Sequence, residues 1–106
     1  MIESNSRIEM LQQFLANDPR DDFSEYALAL EFEKQGNRKN ALFHLENILS
    51  RNPEYLAAYY QSGKLNEAEK DFKSAAKMYT MGMEVAVRQK NLKTLNELRS
   101  ALDLLD

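Results

Sequence analysis

Apolar residues recur along this chain at steps of three and four, the spacing that gathers them on one side of an α-helix. Ile8, Leu11, Phe14 and Leu15 form the first stripe, which ends near Asn17 ahead of Asp18-Pro19. Ser6 and Glu9 precede it as a capping box, with the hydroxyl accepting from a free backbone N–H and the glutamate reaching back; residues 1–5 are expected to fray. Asp22 with Glu25 gives a second start signal, for a helix over 23–34 with two apolar sides. One side carries Phe23, Tyr26, Ala27, Leu30 and Lys34, the other Leu28, Ala29 and Phe32. Gly36 can take the left-handed conformation that ends a helix cheaply, and Asn37 caps the next. That helix, over 38–50, buries Ala41, Leu42, Leu45, Ile48 and Leu49, and Asn52-Pro53 stops it.

The second half repeats the grammar with different words. A helix over 54–69 brings Ala57, Ala58 and Gly63 for close approach, with Tyr59, Tyr60 and Leu65 filling space. Its corner, Lys70-Asp71, lacks glycine; a left-handed lysine costs ~1 kcal/mol, so this corner is expected to be looser or longer than the first. Asp71 caps a helix over 72–89 that turns Phe72, Ala75, Ala76, Tyr79, Gly82, Met83 and Val85 inward. Gly82 within it costs ~1 kcal/mol against alanine, which close helix approach justifies. Lys90-Asn91 is a weak break. The last helix, over 92–105, carries Leu92, Leu95, Leu98, Leu102 and Leu105 on one stripe, with Lys93, Asn96, Glu97 and Asp103 opposite.

Sliding the stretch Leu28–Pro53 forward by 34 residues sets Ala29 on Gly63, Ala41 on Ala75, Leu45 on Tyr79, Leu49 on Met83 and Asn37 on Asp71. Sliding it back sets Pro53 on Pro19, Leu45 on Leu11 and Leu42 on Ile8. A period in this range marks a helical repeat array, and the pattern resembles the tetratricopeptide repeat family over residues 5–88. Leu28 and Ala29 match its large-then-small pair, Phe32 its later aromatic, Gly36 the turn, Ala41 the small opener of the second helix, Leu45 its bulky position and Pro53 the terminator. In the second repeat Tyr59, Gly63, Ala75 and Tyr79 match. Glu25 departs at the first repeat's early aromatic position, Ser62 at the second's large apolar one, Asn66 where an aromatic is due, and Lys70 in place of the turn glycine. The resemblance implies an all-α fold of antiparallel helix-turn-helix repeats, stacked as a short right-handed superhelix. Residues 1–106 make one domain of this kind: a capping helix at 6–17, full repeats at 22–53 and 54–89, and a capping helix at 92–105. Terminal helices with one apolar and one polar face are what such arrays need; the alternative for the last is a leucine seam with a second chain.

The chain of 106 residues has no cysteine, so disulfides and thiolate metal sites are excluded. A net charge of -3 argues against a nucleic-acid partner, which requires a basic stripe. No apolar run approaches the ~20 residues that cross a bilayer, and MIESNSRIEML has no signal-peptide pattern, so no membrane association and a cytoplasmic location are expected. His44, the single histidine, is expected on a wet helix face without a positioned partner, and no catalytic, phosphate-loop or metal-ligand motif is present. The acidic pairs Asp21-Asp22 and Glu31-Glu33 read as helix-start charge and solvated face. No cofactor is implied and no catalysis is expected.

Function then falls to a surface. In the family, the first helix of each repeat lines a concave face suited to a peptide or a partner helix. Carried over by register, that face offers Phe23, Tyr26, Leu30 and Glu33 from the first repeat and Ala57, Tyr60, Lys64 and Glu67 from the second. Tyr26 and Tyr60 stand one period apart, and tyrosine gives large contact area with a polar tip at low entropic cost. The lysine-and-asparagine clamp that one subtype uses for C-terminal carboxylates is absent: its positions hold Tyr26, Leu30, Tyr60 and Lys64. The expected partner is a protein or peptide carrying an apolar or amphipathic segment; the alternative is a homodimer through the repeat face or the C-terminal leucine stripe.

Overall fold

The computed structural model describes residues 2–105, with side chains from residue 6 on. Its helices are α1 (Ile2–Asn17), α2 (Asp22–Lys34), α3 (Arg38–Arg51), α4 (Leu56–Ala68), α5 (Phe72–Arg88) and α6 (Leu92–Asp103), with no strand among the described residues. The fold is all-α and built of helix pairs, as the 34-residue period requires.

At α2, α3, α5 and α6 the start follows from a short polar side chain that satisfies a free backbone N–H, whereas α4 starts after Tyr55 with no side-chain cap. Asn37, Asp71 and Asn91 accept from the amides of Asn40, Ser74 and Thr94 at 3.2, 3.1 and 3.0 Å. For α2 the cap is Asp21, accepting from Ser24 N at 3.1 Å, and not the expected Asp22. Asp22 is drawn away by the far end of the hairpin: its carboxylate takes Arg51 Nη2 at 2.7 Å and Asn52 Nδ2 at 3.0 Å. Ser6 is no cap either, because α1 already runs from Ile2.

Three corners share one design. Gly36, Lys70 and Lys90 adopt φ of 79°, 62° and 57°. In each, the following residue's N–H reaches back five positions, Asn37 to Phe32 O at 2.9 Å, Asp71 to Asn66 O at 2.8 Å and Asn91 to Ala86 O at 2.9 Å. These are Schellman closures. The Lys70 corner is therefore as tight as the glycine corner, and Lys90-Asn91 is a full corner and not a weak break. The paired carbonyls hold the backbone there regardless of side chain, so the lysines carry the dihedral cost themselves. Lys70→Gly and Lys90→Gly are each expected to raise the urea midpoint, by roughly 1 kcal/mol of stability.

The helices group into two compact units, Met1–Pro53 and Glu54–Asp106. In the first, α2 packs on both α1 and α3. Ile8, Leu11 and Leu28 form a buried cluster with Leu15, Ala27 and Phe32 against it, and Ala41, Leu45 and Ile48 of α3 are fully buried. Phe14, expected inward, is 47% exposed and stands outside that cluster. In the second unit, α5 packs on α4 and α6. Ala75, Tyr79, Gly82, Val85 and Ala86 make the buried stripe of α5. Phe72, also expected inward, is exposed because it is the first residue of α5, directly after the cap. Leu95, Leu98 and Ala101 bury the inner face of α6, so those leucines are engaged within their own unit.

The second repeat fills its core by a different division of volume. Leu28, Phe32 and Leu45 of the first give way at equivalent positions to Ser62, Asn66 and Tyr79. Tyr79 is fully buried, and Asn66 Nδ2 donates to Ser62 O at 2.9 Å. A larger ring from α5 thus occupies space that α4 vacates, and Gly63 makes the room: a Cβ there would lie 2.6 Å from Tyr79 Cδ1.

Candidate functional site

Within the second unit, α4 and α6 flank a groove of about 360 Å³. Tyr60 and Lys64, one helical turn apart, line it from α4. From α6 come Asn96, Glu97, Ser100 and Ala101, and Leu104 follows from its C-cap. Tyr60 is half-buried, its ring centroid 6.2 Å from that of Tyr79. Lys64 Nζ stands 5.8 Å from the Tyr60 centroid, a cation–π distance. Contact with the buried Tyr79 ring and with the Lys64 cation therefore restricts Tyr60 before any ligand arrives. Leu104, just past the last helical turn, is 85% exposed at the groove.

Glu67, one of the residues expected on this face, is held from below. Tyr79 Oη donates to Glu67 Oε2. Burial first, then this bond and the Glu67 charge, push the Tyr79 phenol far above its usual range, so it remains a donor throughout the physiological range. Ala57 and Lys64 are exposed on α4. On α2, Phe23 is 75% exposed while Tyr26, Leu30 and Glu33 are half-buried. Of the eight residues that register reasoning assigns to the binding face, the groove brings together Tyr60 and Lys64. The four from α6 and Leu104 lie outside that expectation, because both sequence readings of the last helix, cap or seam with a second chain, rest on its leucine stripe and not on its polar face. Its start at the register of a third first-half helix was the available signal.

A second polar cluster lies in the first unit and corrects the reading of His44. That residue is half-buried, stacked on Phe32 at 5.6 Å, and its Nδ1 lies 2.8 Å from Glu25 Oε2. A carboxylate can only accept, so Nδ1 carries the proton. Asn47 Nδ2 donates to Glu25 at 3.1 Å, and Arg51 Nη2 at 2.8 Å. Glu25, the departure from the family's aromatic, is 4% exposed. A buried charge with three donors replaces a buried ring, and the donors all come from α3. Burial raises the Glu25 pKa, but the bonds from His44, Arg51 and Asn47 and the Arg51 charge outweigh it and hold the carboxyl below its usual range. A carboxyl depressed in the folded state stabilises above its unfolded pKa, and that contribution is lost as pH falls through the folded value. The Glu25 contribution to the urea midpoint of this unit is expected to be complete above the ordinary glutamate pKa of ~4.3 and to be lost on acidification below it. The resulting drop is expected to be shallower in Glu25→Gln.

Among the described residues no group of histidines and carboxylates is arranged to hold a metal ion, and no helix is long and apolar enough to cross a membrane. No protein-family model and no curated protein matches the chain. Solved structures do. The solution structure of a tetratricopeptide repeat domain protein from Salinibacter ruber is 37% identical, covering 84% of this chain and 90% of that one, with a TM-score of 0.80. The crystal structure of the tetratricopeptide repeat domain protein from the same organism gives 36% identity, 80% and 94% coverage and a TM-score of 0.76. Protein BPP2914 from Bordetella parapertussis shares the fold at 23% identity, 92% and 85% coverage and a TM-score of 0.80. With the period, the corners and these likenesses in agreement, the chain belongs to the tetratricopeptide repeat family.

Proposed function

We propose that this protein is a non-catalytic protein-interaction module that takes up an apolar or amphipathic segment of a partner on the first-helix faces of its repeats. Tyr60 and Lys64 in the α4/α6 groove are its best-defined contacts. Tyr26, with Phe23, Leu30 and Glu33 on α2, is the corresponding contact set of the first unit, and Ala57 and Glu67 extend the α4 face. The observation that carries this reading is the restrained, half-buried Tyr60 beside an open groove whose wall includes the exposed Leu104. Aromatic side chains already held in place lose little freedom on binding and are the usual anchors of an interface.

The test selects ligands from a displayed peptide library against the wild-type chain and titrates the best of them calorimetrically. Tyr60→Ala is expected to weaken binding about tenfold or more, the loss typical of an anchor residue. The Tyr26→Ala, Tyr60→Ala double variant is expected to be weaker still. Unchanged affinity in a double variant that retains its helical spectrum removes the reading.

A further inference from the structure

The walls of the α4/α6 groove carry opposite charges. Lys64 stands on α4 and Glu97 on α6, both exposed, and neither makes an ion pair with any described residue. The Tyr60 ring, the small Ala101 and the exposed Leu104 supply the apolar part of the same lining. Asn96 and Ser100, one turn apart on α6, add polar groups along that wall.

A surface of this layout has a complement in one common element. An amphipathic helix presents an apolar stripe with polar residues on either flank, and a helix laid between two others packs by the same ridge-and-groove rules that hold a bundle together. An extended strand, by contrast, alternates its side chains between two faces and sends a single row toward the floor. Charges bordering the stripe of a helix face the residues of its neighbours and set partner choice more than raw affinity. With a cation on one wall and an anion on the other, the groove favours a helix whose two flanks differ in sign.

Resting on the reading of this groove as a binding site, we infer that its partner segment is an amphipathic helix with acidic residues along one border of its apolar stripe and basic residues along the other. The acidic border lies toward Lys64 on α4 and the basic border toward Glu97 on α6. The charge difference also fixes the direction of the bound helix, because reversing it end to end would set like charges against each wall.

The probes are terminally blocked helical peptides that share one leucine stripe and differ only in their borders: one acidic and one basic, both acidic, or both basic. Fluorescence anisotropy at low salt is expected to give the mixed peptide about fivefold tighter binding than either of the others, because at one wall an exposed attraction gives way to a like-charge repulsion of similar size, and less preference at high salt. Lys64→Glu leaves two acidic walls and is expected to shift the preference to the all-basic peptide. Glu97→Lys is expected to shift it to the all-acidic one. Both residues are exposed, so the variants retain the fold, which circular dichroism checks. Equal binding of all peptides, unmoved by either variant, overturns the inference while leaving the groove a binding site. Binding by none of them also overturns it, and the groove reading then rests on the library-selected ligand and Tyr60→Ala alone.

Discussion

Gly63→Ala is expected to destabilise the second unit by roughly 3 kcal/mol or more, an unusually large effect for adding one methyl group. A Cβ at this position overlaps Tyr79 Cε1 and lies 2.6 and 2.7 Å from Cδ1 and Cζ. The ring cannot swing clear: Tyr79 is fully buried, and its hydroxyl is bound to Glu67. Helix propensity works in the opposite direction, since alanine is favoured over glycine inside a helix by ~1 kcal/mol. The steric term wins because cores are packed to crystal density and have no slack for a rigid ring to take up. The first repeat indicates the rescue. It holds Ala29 and Leu45 at the equivalent positions, both buried. Gly63→Ala combined with Tyr79→Leu is therefore expected to be more stable than Gly63→Ala alone, and a double-mutant cycle in urea measures the coupling. Additivity of the two changes would show that Gly63 is not there to admit the ring.

Ala41→Glu is expected to be worse still, abolishing cooperative folding of the first unit at neutral pH. Ala41 is fully buried in the first turn of α3, where its small side chain leaves room for the neighbouring helix. A glutamate brings both excess volume and a charge. An unpaired buried charge costs several kcal/mol, a sum comparable with the whole stability of a small domain. The acid also lands in the unit that already holds the buried Glu25, whose donors from α3 are engaged. Ala41→Ser, which adds one hydroxyl, is expected to remain folded, so thermal denaturation of the two variants separates the charge from the loss of an alanine. Ala75, the equivalent residue of α5 and equally buried, is expected to respond in the same way.

Much of the fold was legible in the residues. The 34-residue step located both full helix pairs, Gly36 and Asn37 marked one corner to the residue, and Ala41, Leu45, Ala75 and Tyr79 were recognised as core. Errors gathered where tertiary partners decide between equal local options. Asp21 and Asp22 are interchangeable as caps until Arg51, 29 residues away from Asp22, claims the second. His44 looks solvent-bound until Glu25 is known to be buried beside it, and nothing in a list of local propensities places a carboxylate in a core. The corners at Lys70 and Lys90 looked weak because side-chain preference was weighed without the two backbone bonds that close each one. For the candidate site, register found the α4 wall, and the opposite wall stayed hidden because the α6 leucines explain that helix without calling on its polar face.

Those two lysine corners have a consequence for how the halves of the chain respond to ionic strength. A helix ends in a cluster of unsatisfied carbonyl dipoles that carries about half a negative charge. At the end of α4 the acids Glu67 and Glu69 add to it, and Lys70 is the cation that follows. At the end of α5, Lys90 joins Arg88. An ammonium at either place offsets some of the dihedral penalty through an attraction that dissolved ions weaken, whereas Gly36 brings no charge to its own turn. Adding sodium chloride should accordingly loosen the Lys70 and Lys90 turns relative to the Gly36 turn, and amide exchange at Asp71 and Asn91 would register it against Asn37.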